Sequence, residues 1–163
     1  MPSVPPAKPA SSLSEAEPVA ALVERAHRLR SGLADPALAP LKGRHVAIAA
    51  AGHDTASARR FERAATALGA RVSHIGPEAS VLDDTRLEST ARILGSLYDA
   101  IDFIPMPPER AEFLQRIAGV PVFADLGGER SPLRALLSPT ADAAESEAEL
   151  LALVEAVLLR AVG

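Results

Sequence analysis

The stretch Leu41 to Ala70, LKGRHVAIAAAGHDTASARRFERAATALGA, decides the fold. His45 to Ala50 is a short apolar run of the kind that a buried parallel strand requires, and Gly52 to Ala58 is small and polar, suited to a turn. From Arg59 to Leu68 the apolar residues Phe61, Ala64, Ala65 and Leu68 fall at i, i+3, i+4 and i+7, which is one face of a helix. Strand, loop and helix in this order aim the helix N-terminus, with its unpaired N–H groups and partial positive charge, into the space beyond the strand's carboxyl end. Anions bind at such termini, so a ligand site in this domain is expected to begin here.

Upstream of this unit, Pro18 suits the first turn of a helix that carries Val19, Leu22, Val23, Ala26 and Leu29 on one face and ends near Ser31-Gly32. Residues 1–14 hold Pro2, Pro5, Pro6 and Pro9 among Ala and Ser, too little apolar surface to offset ordering entropy, and read as a disordered tail. Downstream, Arg71 to Ile75 is a second strand closed by Gly76-Pro77. Thr85 and Glu88 stand at capping-box spacing ahead of a helical stripe of Leu87, Thr90, Ala91, Leu94 and Tyr98. Ala100 to Ile104 is a third strand. Pro108 starts a helix with Ala111, Leu114, Ile117 and Ala118 inward, and Gly119 ends it. Val120 to Ala124 is a fourth strand, which Pro121 places at an edge or at its own start.

Strands alternating with helices at this spacing need parallel crossovers, so the expected fold is a single doubly wound α/β domain over residues 15–137, its four-stranded parallel sheet flanked by helices on both faces. An acidic linker over 138–146 then leads to a terminal helix over 147–163. Its stripe of Leu150, Leu151, Val154, Val157 and Leu158 is too apolar for water, so the helix is expected to dock beside the opening helix.

The bulk numbers agree with one domain. At 163 residues the chain is long enough for a real core, and 48% hydrophobic residues with 3% aromatics describe a core of Ala, Val, Leu and Ile. A net charge of −4 argues against nucleic acid and acidic membranes as partners, because both need a basic field. The absence of cysteine removes disulfides, thiol nucleophiles and thiolate metal sites. Without a membrane-length apolar run or a signal-peptide core, the expected location is the cytoplasm.

The central unit resembles the carbamoyl-phosphate-binding domain of the aspartate and ornithine carbamoyltransferases. That family reads L-K-G-K, an apolar strand, S-T-R-T-R, two residues, then F-E-x-A and a helix ending L-G. Here Leu41-Lys42-Gly43 is followed by Asp54-Thr55-Ala56-Ser57-Ala58 at the S-T-R-T-R positions and Phe61-Glu62-Arg63-Ala64 at F-E-x-A. The likeness extends from about Pro18 to Leu137. Where the family has G-E-S-x-x-D-T-A, this chain has Asp84 to Ala91, keeping only Thr90-Ala91; where it has D-A-I-x-x-R, the arginine that holds the carbamoyl group falls on Ile104; where it has H-P-x-Q, this chain has Ser131-Pro132-Leu133-Arg134.

The resemblance implies a carbamoyltransferase scaffold whose chemistry has been dismantled. Transfer needs a cationic cradle for a phosphate dianion and donors on the carbonyl oxygen, and one such donor in low dielectric is worth roughly 3–4 kcal/mol of barrier. Both signature arginines are alanines, Ala56 and Ala58, and Asp54 sets an anion beside the dianion's expected place. The family's acceptor-binding second domain is not found in the sequence. The implied function is an inactive paralogue serving as an assembly or regulatory subunit, as a family-like homotrimer or with an intact carbamoyltransferase, with no catalytic residue, cofactor or metal assigned. A small-molecule or anion sensor is the alternative, and residual carbamoyl transfer in amino-acid metabolism the third reading.

Candidate anion-binding residues are Thr55, Ser57, Arg59 and Arg60 at the helix N-terminus, although Ser and Thr also cap helices and Arg is commonly solvated. Asp54, Arg86, Ser131 and Arg134 replace family site residues and are candidates for a repurposed pocket, against plain loop solvation. His53 with Asp54 reads either as an acid/base pair or as a polar loop. His27, His45 and His74 lie on separate elements without metal-ligand spacing and carry no assigned chemistry.

Overall fold

Residues 19–32, 39–50, 55–75 and 83–163 are described by a computed structural model. Helix α1 (Val19–Arg30) precedes β1 (His45–Ala50), after which come α2 (Ala56–Ala67), β2 (Arg71–Ile75), α3 (Asp84–Leu97), β3 (Ala100–Ile104), α4 (Pro108–Ala118), β4 (Val122–Ala124), a 3-10 turn (Pro132–Leu136) and α5 (Ala143–Val162). The expected tail over 1–14, Pro18, the loop residues Gly52, His53 and Asp54, and Gly76-Pro77 lie outside the described residues.

The strands form one parallel sheet in the order β2-β1-β3-β4, with helices on both faces. Central β1 and β3 are buried on both sides, and their side chains divide by parity. Val46, Ile48 and Ala50 of β1, Ala100 and Ile104 of β3 and Phe123 of β4 join a cluster with Phe61, Ala64 and Ala65 of α2 and Leu150, Val154, Val157 and Leu158 of α5. Ala47, Ala49, Ile101, Phe103 and Val122 join Leu87, Ala91 and Leu94 of α3 and Ala111 and Leu114 of α4. Helix α5 lies against both α1 and α2, and Leu22 and Ala26 of α1 share its cluster.

Where element ends differ from expectation, caps and prolines are the reason. Thr55 accepts a bond from the Ala58 N–H at 3.1 Å, so α2 starts at Ala56 and takes in residues that composition assigned to a turn. Asp83, not Thr85, caps α3, accepting from the Arg86 N–H at 2.9 Å. Asp142 and Glu145 form a reciprocal capping box, so α5 begins at Ala143 and absorbs the second half of the expected linker. Strand β4 loses Val120 and Pro121, because Pro121 lacks the N–H that a ladder residue donates. Of the expected α1 stripe, Leu22 and Ala26 are buried, whereas Val19 is 56% and Val23 40% exposed.

Candidate functional site

The polar residues that the fold buries collect where the carboxyl ends of β3 and β4 meet the first turns of α2. Among the described residues the buried polar or charged ones are Ser57, Arg60, Asp102 and Ser131, and each contacts or belongs to the segment following β4. That segment turns sharply: Asp125 has φ 54, a left-handed conformation that Asp tolerates better than most residues. Its N–H donates to the Phe103 carbonyl at 3.0 Å, and its own carbonyl accepts from Gly128 at 2.9 Å. The Asp125 carboxylate fills the space that a Cβ on Gly128 would need, so this position takes glycine for close approach.

Two internal acids engage α2. The Ser57 hydroxyl donates to the Asp125 carboxylate. Arg60 is gripped in a fork by Glu147 of α5, through Nε at 2.7 Å and Nη2 at 3.0 Å, while Nη1 donates to the Gly127 carbonyl. The Arg60 bonds, assisted by its charge, hold the Glu147 carboxyl below the usual glutamate value against the desolvation that partial burial brings. Arg134 donates from Nε to the Gly128 carbonyl at 2.9 Å and from Nη2 to Glu129 at 2.9 Å. Ser131 caps the 3-10 turn, its hydroxyl accepting from the Leu133 N–H at 3.3 Å.

Asp102 occupies the middle of β3, in register with Ile48 of β1 and Phe123 of β4, and is fully buried. Its Oδ1 accepts from the Leu126 N–H at 3.2 Å, and its Oδ2 has no hydrogen-bond partner among the described residues. Burial pushes the Asp102 carboxyl up to about 8, the Asp125 charge adds to the rise, and the backbone N–H groups of Leu126 and Asp125 oppose it. At neutral pH the group is therefore mainly an uncharged acid.

The sequence-derived candidates divide. Ser57 and Arg60 sit in this cluster, and Ser131 and Arg134 border it. Thr55 spends its oxygen on the α2 cap, and Arg59 is exposed. Arg86 forms an exposed ion pair with Asp83 at 3.8 Å within the start of α3, away from these contacts; Asp54 and His53 lie outside the described residues. His45 meets Ser73 at 2.6 Å and the Tyr98 ring edge, His74 meets Glu62 at 3.0 Å, and among the described residues no His, Cys, Asp or Glu cluster has the makings of a metal site. Sequence reasoning passed over Asp102, Asp125 and Glu147. An aspartate inside the otherwise apolar run Ala100-Ile101-Asp102-Phe103-Ile104 was the available signal for the first; nothing local marks the other two.

No family model matches the chain. Over 93 residues, 56% of the chain, it is 39% identical to the catabolic ornithine carbamoyltransferase of Pseudomonas putida, of which it covers 28%. It is 36% identical over 94 residues to the catabolic ornithine carbamoyltransferase of Malacoplasma penetrans, again covering 28% of that protein. The crystal structure of ornithine carbamoyltransferase from Gloeobacter violaceus superposes with a TM-score of 0.51 and 26% identity, over 64% of this chain and 33% of that one. Over about half its length the chain is therefore related to ornithine carbamoyltransferases, while spanning little more than a quarter of the curated relatives it matches.

Proposed function

We propose that this carbamoyltransferase-like chain does not transfer carbamoyl groups and serves as an assembly or regulatory subunit. One observation carries the reading: the groups nearest the S-T-R-T-R positions are engaged by the protein's own acids, Ser57 by Asp125 and Arg60 by Glu147. A phosphate dianion at α2 would compete with two carboxylates already in place, and would do so without the arginines replaced by Ala56 and Ala58. Ile104, Ser131 and Arg134 at the other family positions remove the carbonyl donors that would steady developing charge. The remaining asset is the scaffold, through which the chain assembles with itself or with an intact carbamoyltransferase, in the cytoplasm and with no cofactor or metal. Isotope-labelled carbamoyl phosphate with ornithine or aspartate is expected to give no product above the uncatalysed rate; citrulline or carbamoyl-aspartate above that rate refutes the inactive assignment. Native mass spectrometry, alone and mixed with an ornithine carbamoyltransferase, is expected to show an oligomer, and a monomer in both samples rejects the assembly role.

A second reading, an anion-sensing module, draws on the contact of Arg134 with the same loop that touches α2. It has Thr55, Ser57, Arg59 and Arg60 receive the anion, with Ser131 and Arg134 shaping the pocket. A melting-temperature rise of several degrees in millimolar phosphate favours this reading, and no rise favours the first.

A further inference from the structure

We propose that a proton held on Asp102 latches the loop after β4 to the sheet, and that its loss releases that loop from the first turn of α2. The argument starts from an imbalance. Asp102 is fully buried, yet one of its oxygens has no hydrogen-bond partner among the described residues, and the backbone donors that act on it, Leu126 and more weakly Asp125, both belong to the loop itself. A buried carboxylate in that setting is costly, whereas a buried carboxylic acid is tolerable. The groups around it fix which charges matter. In the sheet its neighbours are Ile48 and Phe123, neither titratable. The segment after β4 contributes Asp125; α2 contributes Arg60, whose guanidinium is already committed to Glu147 of α5 and to the Gly127 carbonyl. Arg134 binds the same loop at Gly128. The charge that acts on Asp102 is that of the Asp125 carboxylate, so ionisation sets the two anions against each other.

The two acids are unequally free to move apart. Asp102 lies in a central strand paired on both sides, while Asp125 lies on a half-buried turn in a left-handed conformation. The turn therefore yields first. Its departure breaks the bond from Leu126 to Asp102 and the bond from Ser57 to Asp125, which uncovers the start of α2. The direction follows from linkage: an acid whose folded value, about 8, lies above its ordinary 3.8 binds more protons folded than unfolded. Stability is then highest in acid, declines as pH rises between those two values, and levels off above the higher one.

The test uses the full chain and Asp102→Asn, which imitates the protonated acid and cannot ionise. Amide exchange at residues 125–128, corrected for intrinsic base catalysis, is expected to lose about tenfold or more in protection between about pH 6 and about pH 9.5 in the natural protein and to stay level in the variant. Equal pH dependence in the two overturns the proposal. Should the variant fold poorly, carboxyl carbon NMR of the natural protein decides: a buried aspartate resonance titrating near the alkaline value supports the latch. An Asp102 resonance titrating in the ordinary aspartate range overturns it.

Discussion

On one side of the sheet, α3 and α4 pack on Ala47, Ala49, Ile101, Phe103 and Val122 with no buried polar side chain among the described residues of that layer; on the other, the layer of α2 and α5 holds Arg60, Ser57 and Asp102 beside Phe61, Leu150 and Val154. The first layer is held by burial and close approach. Gly95 of α3 comes so near the Ala118 backbone of α4 that an added Cβ would collide with the carbonyl. The second is held by burial and by a set of polar ties that cross between distant parts of the chain: Arg60 to Glu147, Ser57 to Asp125, Leu126 to Asp102. Apolar packing tolerates exchange of similar shapes, whereas a polar tie buried at both ends costs heavily when one partner is lost, and one with an exposed end costs little. The difference places the chain's chemically distinctive behaviour in the α2 and α5 layer.

The largest test of that contrast is removal of α5. Each buried Leu or Val contributes roughly 1.5–3 kcal/mol, so losing Leu150, Leu153, Val154, Val157 and Leu158 together exceeds a typical domain stability of about 5–15 kcal/mol when α1 and α2 are uncovered as well. Truncation after Asp142 is expected to give aggregated or unfolded protein. A soluble product with an unchanged melting temperature shows that α5 is not part of the core.

In the dry layer, Gly95→Ala is expected to cost about 1–3 kcal/mol by forcing α3 away from α4, read as a lower denaturant midpoint with little change at α2. An unaltered midpoint means that the two helices do not approach as closely as described. Thr55→Ala removes the α2 cap and should cost about 1 kcal/mol; a loss several times larger would give Thr55 a role beyond capping.

The smallest effect belongs to the Arg60–Glu147 tie, because Glu147 remains 53% exposed and water screens it. Its folded carboxyl value is depressed, so the tie stabilises above the ordinary glutamate range and is lost as pH falls through the folded value. Glu147→Gln should lower the melting temperature slightly at neutral pH and match the natural protein in acid. A deficit that persists unchanged in acid assigns the effect to packing instead of charge.

Much of the dry layer was readable from the chain. The runs His45 to Ala50 and Ala100 to Ile104 are strands with the expected limits, and Leu87, Ala91, Leu94, Ala111 and Leu114 are buried as their spacing required. The polar layer was readable only in part. Ser57 and Arg60 stood out as members of a helix N-terminus, but their partners lie 68 and 87 positions away, and local spacing carries no information about such pairs. Helix starts also escaped periodicity, as Thr55, Asp83 and Asp142 show, because a cap is chosen by one side chain's bond to the backbone and leaves no repeating pattern.

By itself the sequence determined the parallel α/β sheet, since short apolar runs separated by helix-length segments permit only crossover connections. The order of Leu41-Lys42-Gly43 and Phe61-Glu62-Arg63-Ala64 pointed to the carbamoyltransferases, and the likeness to ornithine carbamoyltransferases over about half the chain supports that relationship. Only the tertiary structure decided what the first turns of α2 meet. Asp125 and Glu147 reach Ser57 and Arg60 through chain reversals after β4 and into α5, and Asp102 is held uncharged because neighbouring strands and helices exclude water from it. Hydrophobic pattern is a local property of the chain, whereas the partner and the protonation state of a buried polar group belong to whatever the fold packs against it.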